Sequence, residues 1–361
     1  MSGIRPAVAG DLAQIAALMV ADAQARCARD PVLWRLDGAA HDKTYASLDR
    51  AMHADAPPSR QQWLVAEAGD ALVGVAHSIL LPVPPIYAGE RGPPGLIMED
   101  CHVAPEAPAS TLRALLKASQ DDLIAAGARV LLASSIAGGD WEAAYAAEGF
   151  VPVTRYYAKS GLAERPTSSG IFAAHADDVP GIVVASAVHR RILQDLNAGF
   201  WKPHAEADQR FEAWMQRSLT LEDRDMFVAR HGAAVHGYAI SQPATPLHFP
   251  APHDIAGVGV VDDFYHASLE DPQAEGVDAE AAMLFAAAEG ARARRGNDAL
   301  LVVCPAAWRS KATLLHHAGY RNAMTWHIRF ADCPAPMGYR PLADLRDPAV
   351  LVGWTAMRCR L

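Results

Sequence analysis

The sequence is written twice. The stretch WLVAEAGDALVGVAHS in the first half corresponds to MFVARHGAAVHGYAIS in the second, 163 residues later. Asp100 and Asp263 share that spacing, whereas Leu115 and Leu284 are 169 residues apart. The second copy therefore has a longer loop between these two points. A duplication of this length predicts two similar domains, since each copy has the size of an ordinary domain.

Both halves predict the same order of elements: a strand, two helices, three strands, a helix, a strand, a helix and a strand. In the first half, Leu12, Ile15 and Met19 recur at helical spacing, and Gly69 marks a turn between two strands. Gly232 marks the corresponding turn of the second half. The pattern predicts that helices flank a sheet in each half.

The domain boundaries follow from this order. We expect one domain over residues 1–162 and a second over residues 163–330. The stretch KSGLAERPTSSG, residues 159–170, has the Gly, Ser and Pro content of a linker. Residues 331–361 lie beyond the repeat, and we expect this C-terminal tail to be able to add a strand to either half.

The repeated order resembles the GCN5-related N-acetyltransferase (GNAT) family, in a tandem two-domain form. The stretches that carry the resemblance are IRPAVAGDLAQIAAL, MEDCHVAPEA and YAAEGFVPV in the first half, and VDDFYHASLED and HHAGYR in the second. The resemblance implies an α/β (α+β) fold with two tandem acetyltransferase-like domains, each a mixed, mostly antiparallel central sheet flanked by helices. It also implies acetyl-CoA, or another acyl-CoA, as co-substrate, and a primary amine of a small molecule or peptide as acceptor.

The family binds the pyrophosphate of coenzyme A at the start of the third helix, with a loop similar to R/Q-x-x-G-x-G/A. Backbone N–H groups and the helix dipole attract phosphate there. The first half lacks both glycines and the basic first residue, so a capped helix start is the alternative. A backbone N–H near Val103 would polarise the thioester carbonyl. The resemblance places these residues at the co-substrate: Cys101, Val103, Pro108, Ala109, Ser110, Thr111, Leu112 and Arg113.

The corresponding loop of the second half is acidic. Gln273 and Gly276 superficially fit the pattern, but the stretch from Asp262 to Glu280 contains seven Asp and Glu residues and neither Lys nor Arg. Carboxylates close to a pyrophosphate would repel it. We therefore expect a solvated acidic loop here, and a co-substrate site in the first half.

A tyrosine distinguishes the two halves. In the family, a tyrosine on the helix after the fifth strand often lies near the coenzyme sulfur and acts as general acid to the thiolate. Tyr145, four residues before Gly149, matches that position. The second half has Leu315 there, which cannot donate a proton. The alternative interpretation of Tyr145 is a core aromatic residue.

The stretch IMEDCHV supplies candidates for the general base. In a regular strand, Glu99, Cys101 and Val103 face one side, and Asp100 and His102 face the other. The family commonly uses a carboxylate on this strand, directly or through water, to take a proton from the ammonium group. Glu99 is the first candidate and His102 the second, and a structural ion pair is the alternative for a carboxylate.

Composition narrows the partners and the location. A formal net charge of −9 argues against nucleic acid as a partner. No apolar run reaches the ~18–20 residues of a membrane span. The amino terminus lacks the pattern of a signal peptide, so we expect a cytoplasmic protein. We also expect a monomer or a homodimer. Five cysteines without a CxxC pair argue against a disulfide framework and a thiolate zinc site, and we expect no metal.

The interpretation is therefore an acyl-CoA-dependent N-acyltransferase with its active site in the first half. The second half would be structural or would complete the acceptor pocket. Two alternatives remain open. The active site could belong to the second half, or both sites could have decayed, which would leave a non-catalytic protein that binds acyl-CoA or another small ligand.

Overall fold

The computed structural model describes residues 3–54, 59–165 and 168–331. The strand expected in the tail 331–361 falls on residues 332–361, which lie outside the described residues. Within the described part, both halves have the predicted order of elements, apart from one additional two-residue strand in the first half and one additional four-residue helix in the second.

The first half contains seven strands and four helices. They are β1 (Gly3–Pro6), α1 (Leu12–Arg29), α2 (Ala40–Met52), β2 (Gln61–Ala68), β3 (Ala71–Leu80), β4 (Gly95–Ile97), β5 (His102–Val103), α3 (Thr111–Ala125), β6 (Val130–Ile136), α4 (Asp140–Ala147) and β7 (Val151–Ser160).

The second half follows the same plan, with one additional short helix, α6. Its elements are β8 (Ile171–Ala173), α5 (Val179–Leu196), α6 (Ala198–Trp201), α7 (Ala207–Ser218), β9 (Asp225–His231), β10 (Ala234–Pro243), β11 (Val258–His266), α8 (Ala279–Arg294), β12 (Ala299–Pro305), α9 (Arg309–His317) and β13 (Arg321–Phe330).

Helices cover both faces of the sheet. In the first half, Val65 of β2 packs against α1 and α2, in a cluster that contains Ile15 and Leu48. The preceding residue, Leu64, packs on the other face against α3, in a cluster that contains Leu115. This alternation is expected of a strand buried on both sides. The predicted α/β fold with a mixed, mostly antiparallel sheet is confirmed: the two parallel pairings are β4 with β6 and β11 with β12.

The two halves do not form separate sheets. Their strands join in one continuous sheet in the order β1-β2-β3-β4-β6-β13-β7-β12-β11-β10-β9-β8, while β5 pairs with β3. Strand β13 of the second half lies between β6 and β7 of the first. Reciprocally, β7 lies between β13 and β12. Each half has thus inserted its last strand into the sheet of the other.

This exchange gives β7 and β13 two neighbouring strands each, so their ladder groups are satisfied without an exposed edge. Their sequences, VPVTRYYAKS and RNAMTWHIRF, are rich in β-branched and aromatic residues. Tyr156 and Trp326, one from each half, pack with ring centroids 5.5 Å apart. The central core therefore contains side chains of both halves.

The loops between the third and fourth strands of each half also cross over. Loop 81–94 of the first half reaches the second, where Ala88 N donates to Lys202 O at 2.8 Å and His204 N donates to Ile86 O at 2.9 Å. Loop 244–257 of the second half reaches the first, where Asp37 N donates to Pro252 O at 2.9 Å. Each loop thereby covers a cavity in the opposite half.

The repeated Gly-aromatic pair ends a helix in each half. Gly149 and Gly319 have φ values of 81° and 88°, a left-handed conformation that glycine adopts without steric cost. Phe150 N then donates to Tyr145 O at 3.0 Å, as Tyr320 N does to Leu315 O at 2.9 Å. The pair therefore reverses the chain from α4 into β7, and from α9 into β13. None of the described helices is long and apolar enough to cross a membrane.

Candidate functional site

The sheet opens in the middle of each half. In the first half, β4 pairs with β6 over Gly95–Ile97 and then turns away, because Met98 N donates to His77 O of β3 at 2.9 Å. Strand β5 continues beside β3, while β6 runs on toward β13. In the second half, β11 likewise pairs with β12 only over residues 258–261, yet follows β10 as far as His266. A gap between strands results in both halves.

A cavity of about 280 Å³ lies beside the gap of the first half. Met19 of α1, Leu48 of α2 and Trp63 of β2 form part of its wall, and Glu99 and Asp100 belong to its lining. Its roof comes from the crossing loop of the second half: Pro246, Leu247, Phe249, Pro250 and Ala251.

Glu99 is the most unusual group in this cavity. Its side chain is 4% exposed, and neither carboxylate oxygen has a well-formed hydrogen bond to the described residues. Burial, together with the neighbouring Asp100 carboxylate, raises the pKa of Glu99 to about 7. Arg26 and the Ser134 hydroxyl oppose this shift only in part. A carboxyl that exchanges its proton near neutral pH is suited to general base catalysis.

The carboxylate of Asp100 lies beside Glu99 but already has a hydrogen-bond partner, His77. Its carboxylate oxygens lie 2.9 and 3.1 Å from Nδ1 of His77. The imidazole of His77 stacks on Trp63 with a centroid separation of 4.3 Å, and its Nε2 lies 3.2 Å from the side-chain oxygen of Gln61. These contacts fix Asp100 in place and leave Glu99 as the carboxylate with a free proton-accepting site.

Arg26 of α1 contacts the main chain at Glu99. It is 4% exposed, donates to the main-chain oxygen of Glu99 and pairs with Asp22 one turn earlier in α1. Asp22 also lies 3.5 Å from Nδ1 of His102. His102 thus faces α1 beside Asp22, and it does not belong to the lining of the cavity that contains Glu99. Sequence reasoning assigned no role to Arg26, because a basic residue in the last turn of a helix is expected on helix-dipole grounds alone.

The predicted strand alternation around Glu99 is wrong. Residues 98–101 form a turn between β4 and β5, so Glu99 and Asp100 both line the cavity. Cys101 instead packs in the cluster with Leu115 and Tyr145, and its Sγ accepts from His77 N at 3.3 Å. Burial raises the pKa of the Cys101 thiol well above its usual value, so it is an unreactive thiol.

The amide of Val103 points into the gap. Val103 pairs with Gly74, and Ala104 N donates to Val73 O at 2.9 Å. Because amides alternate between the two sides of an antiparallel strand, the N–H of Val103 is directed away from β3. It therefore faces the opening between β5 and β6.

Tyr145 is fully buried on α4. Its hydroxyl donates to the main-chain oxygen of Ser134 at 3.2 Å, and its ring packs against Phe150 and His327 at centroid distances of 5.6 Å. Burial raises the pKa of Tyr145 well above its usual value, so the phenol keeps its proton. Its bond to Ser134 on β6 places the hydroxyl at the edge of the gap, within the α3–α4 core.

The start of α3 is a plain helix start. Ser110 and Arg113 are exposed, Thr111 is 1% exposed, and Thr111 N donates to Pro108 O at 2.8 Å. Pro108, Ala109 and Leu112 complete the predicted loop. The first amides of a helix have no intrahelical partner and are open to an anion. Among the residues that the resemblance places at the co-substrate, Arg113 is the one cation, and it is exposed.

The second half differs at each corresponding point. The carboxylate of Asp278 accepts from Ala281 N at 2.9 Å and so already caps α8, where a phosphate would bind. Trp308 Nε1 and the Ser310 hydroxyl both donate to Leu269 O, at 2.8 and 3.2 Å, and tie α9 to the acidic loop. Lys311 of α9, which is 1% exposed, donates to Phe264 O within the gap itself.

Metal ligands do not cluster in this part of the chain. Within residues 3–54, 59–165 and 168–331, there is no group of three or more His, Cys, Asp or Glu side chains that could hold a metal ion. Cys27, Cys101 and Cys304 are free thiols.

Comparison with known proteins identifies the fold. No protein-family model matches the sequence. No curated protein sequence matches it either. Among solved structures, a GCN5-related N-acetyltransferase from Sphaerobacter thermophilus aligns over 91% of this chain and 95% of its own, with a TM-score of 0.54 and 16% identity.

A GCN5-related glucosamine N-acetyltransferase region of a fungal multi-domain GH3 β-N-acetylglucosaminidase aligns over 91% of this chain and 38% of its own, with a TM-score of 0.52 and 13% identity. A tandem GNAT protein from the clavulanic acid biosynthesis pathway aligns over 93% of this chain and all of its own, with a TM-score of 0.48 and 13% identity. The first two similarities, together with the repeated order of elements, establish that this chain has the fold of the GCN5-related N-acetyltransferases in a tandem arrangement.

Proposed function

We propose that this protein is an acyl-CoA-dependent N-acyltransferase whose active site lies in the first half. The co-substrate would be acetyl-CoA or another acyl-CoA, and the acceptor a primary amine of a small molecule or peptide. The observation that carries the proposal is Glu99, a buried carboxylate with a pKa of about 7 at the point where a cavity meets the gap in the sheet.

The first half fits the co-substrate in two places. The start of α3, with the exposed Arg113 and the amides of the first turn that follow Thr111, suits a pyrophosphate. The gap beside Val103 admits an extended group, with the Val103 amide available to a carbonyl oxygen. When bound, an acyl-CoA supplies an electrophilic thioester carbonyl and a thiolate leaving group.

Glu99 would prepare the acceptor. An amine enters the cavity as an ammonium ion and must lose a proton before its nitrogen becomes nucleophilic. The Glu99 carboxylate accepts that proton, directly or through one water, and becomes a neutral carboxylic acid. Because the Asp100 carboxylate is already bonded to His77, Glu99 is the carboxylate that accepts the proton. Burial makes this favourable, since it disfavours the charged form of Glu99.

Tyr145 would supply a proton to the leaving thiolate. Its phenol stays protonated because of its burial, which meets one requirement of a general acid. Its hydroxyl must exchange its 3.2 Å bond to Ser134 O for one to the sulfur. The alternative, a tyrosine that only packs the core, predicts no loss of activity on removal of the hydroxyl.

An active site in the second half is the less favoured alternative. There, Asp278 caps the helix that would hold phosphate, and Lys311 occupies the gap. Leu315 stands where a proton donor would be needed. A non-catalytic binding protein is the other alternative, and the absence of both loop glycines in the first half favours it.

The experiment is a calorimetric titration of the full chain with acetyl-CoA, followed by an assay of free thiol release with a panel of primary amines. The proposal predicts binding and amine-dependent thiol release. Binding without release for any amine would favour the non-catalytic alternative, and the absence of binding would contradict the proposal.

A further inference from the structure

The first-half cavity, which contains Glu99, has two cations and two carboxylates in its lining. Lys43 and Arg50 come from α2, whereas Glu99 and Asp100 come from the turn between β4 and β5. The roof from loop 244–257 contributes apolar side chains only. Among the described lining residues, the positive charges thus belong to one helix and the negative charges to one turn.

Two of these four groups already have partners. Lys43 Nζ lies 2.8 Å from the carboxylate of Asp37 and donates to His253 O at 3.0 Å. The carboxylate of Asp100 is bonded to His77. These contacts satisfy both groups within the protein, so neither of them requires a ligand.

Arg50 and Glu99 remain. Arg50 is exposed, and its guanidinium has neither a hydrogen bond nor an ion pair with the described residues. The carboxylate next to it in sequence, Asp49, lies 3.2 Å from Nδ1 of His53 instead. Glu99 is 4% exposed, and neither of its carboxylate oxygens has a well-formed hydrogen bond. The cavity therefore has one unpaired cation at an exposed position and one unpaired carboxyl at a buried position.

Trp63 adds an unpaired donor to the same lining. Its ring stacks on His77, and it packs in the cluster that contains Leu48 of α2. Trp63 is 6% exposed, and its Nε1 is buried without a hydrogen-bond partner among the described residues. A buried N–H without an acceptor is costly unless a ligand or water satisfies it. This wall therefore favours a ligand that carries an acceptor group in addition to its amine.

We propose that the acceptor is a zwitterion, in which an apolar chain separates the amine from a carboxylate, and that Arg50 selects it. The inference rests on the proposed function, because that function assigns the amine to Glu99. The carboxylate of the acceptor would pair with the Arg50 guanidinium, which can donate two parallel hydrogen bonds to it. The chain between the two ends would pack on apolar lining residues such as Leu48 and Phe249.

The charges also disfavour other amines. A diamine would bring its second ammonium group toward Arg50, where like charges repel each other. An uncharged group at the same end would leave the guanidinium without a partner. Because Arg50 is exposed and stays partly hydrated, the gain from the ion pair is modest, and we expect a preference of roughly fivefold rather than several orders of magnitude.

The test measures binding to the full chain by calorimetry without acyl-CoA at pH 8, where Glu99 is ionised and no turnover interferes. β-Alanine, γ-aminobutyrate and ε-aminocaproate supply three chain lengths. Each acid is compared with its own primary amide, which keeps the length and the amine but lacks the negative charge. The inference predicts that at least one acid binds saturably and roughly fivefold or more tighter than its amide. It is wrong if every amide binds as tightly as its acid, or if no acid binds at millimolar concentration.

Substitutions locate the carboxylate of the ligand. Arg50→Gln removes the charge at an exposed position and should bring the ratio of acid to amide affinity close to one. Arg191→Gln, at an exposed arginine of α5, is the matched control and should keep the preference. Lys43→Gln tests the other cation of the lining. A preference that survives Arg50→Gln but disappears with Lys43→Gln in folded protein would overturn the assignment to Arg50.

Acyl transfer is then assayed with the same acids and amides in the presence of acetyl-CoA. Equal binding and equal kcat/KM for acids and amides would leave the proposed function standing and overturn the selection by Arg50. Preferred binding of the acids without thiol release from any of these amines would contradict the proposed function instead, while the selection by Arg50 would stand as a property of the cavity.

Discussion

Nδ1 of His253, in the second half, lies 3.2 Å from the main-chain oxygen of Trp34, in the first. Their rings pack with centroids 5.4 Å apart, and Phe249 joins them at 5.1 Å from Trp34. This contact anchors loop 244–257 over the cavity that contains Glu99. The second half thus builds part of the wall of this first-half cavity.

Shortening the roof should alter the choice of amine. Phe249→Leu retains an apolar side chain but removes part of the surface that faces the first-half cavity. We expect the KM for small amines to rise severalfold with kcat nearly unchanged. The lost contact would stabilise the bound amine and the transition state equally, so its removal weakens binding without slowing the chemical step. Phe172→Leu, at an exposed phenylalanine of the second half, is the control. An unchanged ranking of amines would show that the roof does not contact the acceptor.

Neither half should fold properly alone. Residues 1–162 without β13 would leave β6 and β7 without the strand that lies between them. Unpaired edges and exposed apolar faces promote aggregation. We expect this fragment to be poorly soluble or inactive when expressed alone, and soluble in a 1:1 complex when residues 163–361 are co-expressed. Circular dichroism and size-exclusion chromatography measure both. A folded, fully active 1–162 fragment would make the strand exchange dispensable.

Reversing charge at the start of α3 should weaken co-substrate binding. Ser110→Glu with Arg113→Glu places carboxylates where helix amides would meet phosphate, and both positions are exposed, so the fold should survive. We expect the Kd for acetyl-CoA to rise roughly tenfold or more. Lys117→Glu, farther along the helix and paired with Asp121, is the control. Asp278→Gly in the second half should change the Kd for acetyl-CoA little. A large gain in affinity from this substitution would place the co-substrate site in the second half instead of the first.

Removing the Tyr145 hydroxyl separates its two interpretations. If the phenol protonates the thiolate, Tyr145→Phe should lower kcat by roughly 10²-fold while acetyl-CoA affinity stays nearly constant. Tyr320→Phe removes another buried hydroxyl, bonded to Glu289 at 2.9 Å, and controls for stability. Unchanged turnover with Tyr145→Phe would make this residue part of the core only.

The sequence was sufficient for the order of elements, because apolar periodicity, glycine turns and the duplication are local signals. The Gly-aromatic pairs at Gly149 and Gly319 also have a local cause, a helix end with positive φ. The exchange of β7 and β13 could not be predicted in this way. Each strand fits the sheet of either half equally well by pattern, and the choice depends on contacts far apart in sequence.

The candidate site, too, could be predicted only in part from the sequence. Glu99 could be selected from its residue type and from the resemblance, which implies a carboxylate on the predicted strand IMEDCHV. Its neighbours could not, because the turn at residues 98–101 breaks the alternation and moves Cys101 to the opposite face. Arg26 and the roof residue Phe249 come from other elements, one of them in the other half. Only the folded chain brings them to Glu99.

Glu99 also makes a prediction about stability. Its pKa is raised in the folded protein above the ordinary carboxyl value, so the folded state holds its proton over a range where the unfolded state has lost it. Stability therefore falls as pH rises from about 4.5 to about 7. Glu99→Gln cannot ionise, and we expect it to melt at a higher temperature than the wild type at pH 8. This measurement also shows that the variant is folded.

The pH dependence of acyl transfer with Glu99→Gln tests the central claim most directly. For the wild type, kcat/KM should rise with pH through an apparent pKa of about 7, as Glu99 loses its proton and becomes a base. Glu99→Gln should lower kcat/KM by roughly 10²-fold or more and remove that rise, because general base catalysis typically contributes 10²–10⁴-fold. Glu212→Gln, at an exposed position on α7, should match the wild type. Full activity and an unchanged pH profile in folded Glu99→Gln would contradict the assignment of the chemistry to the first half.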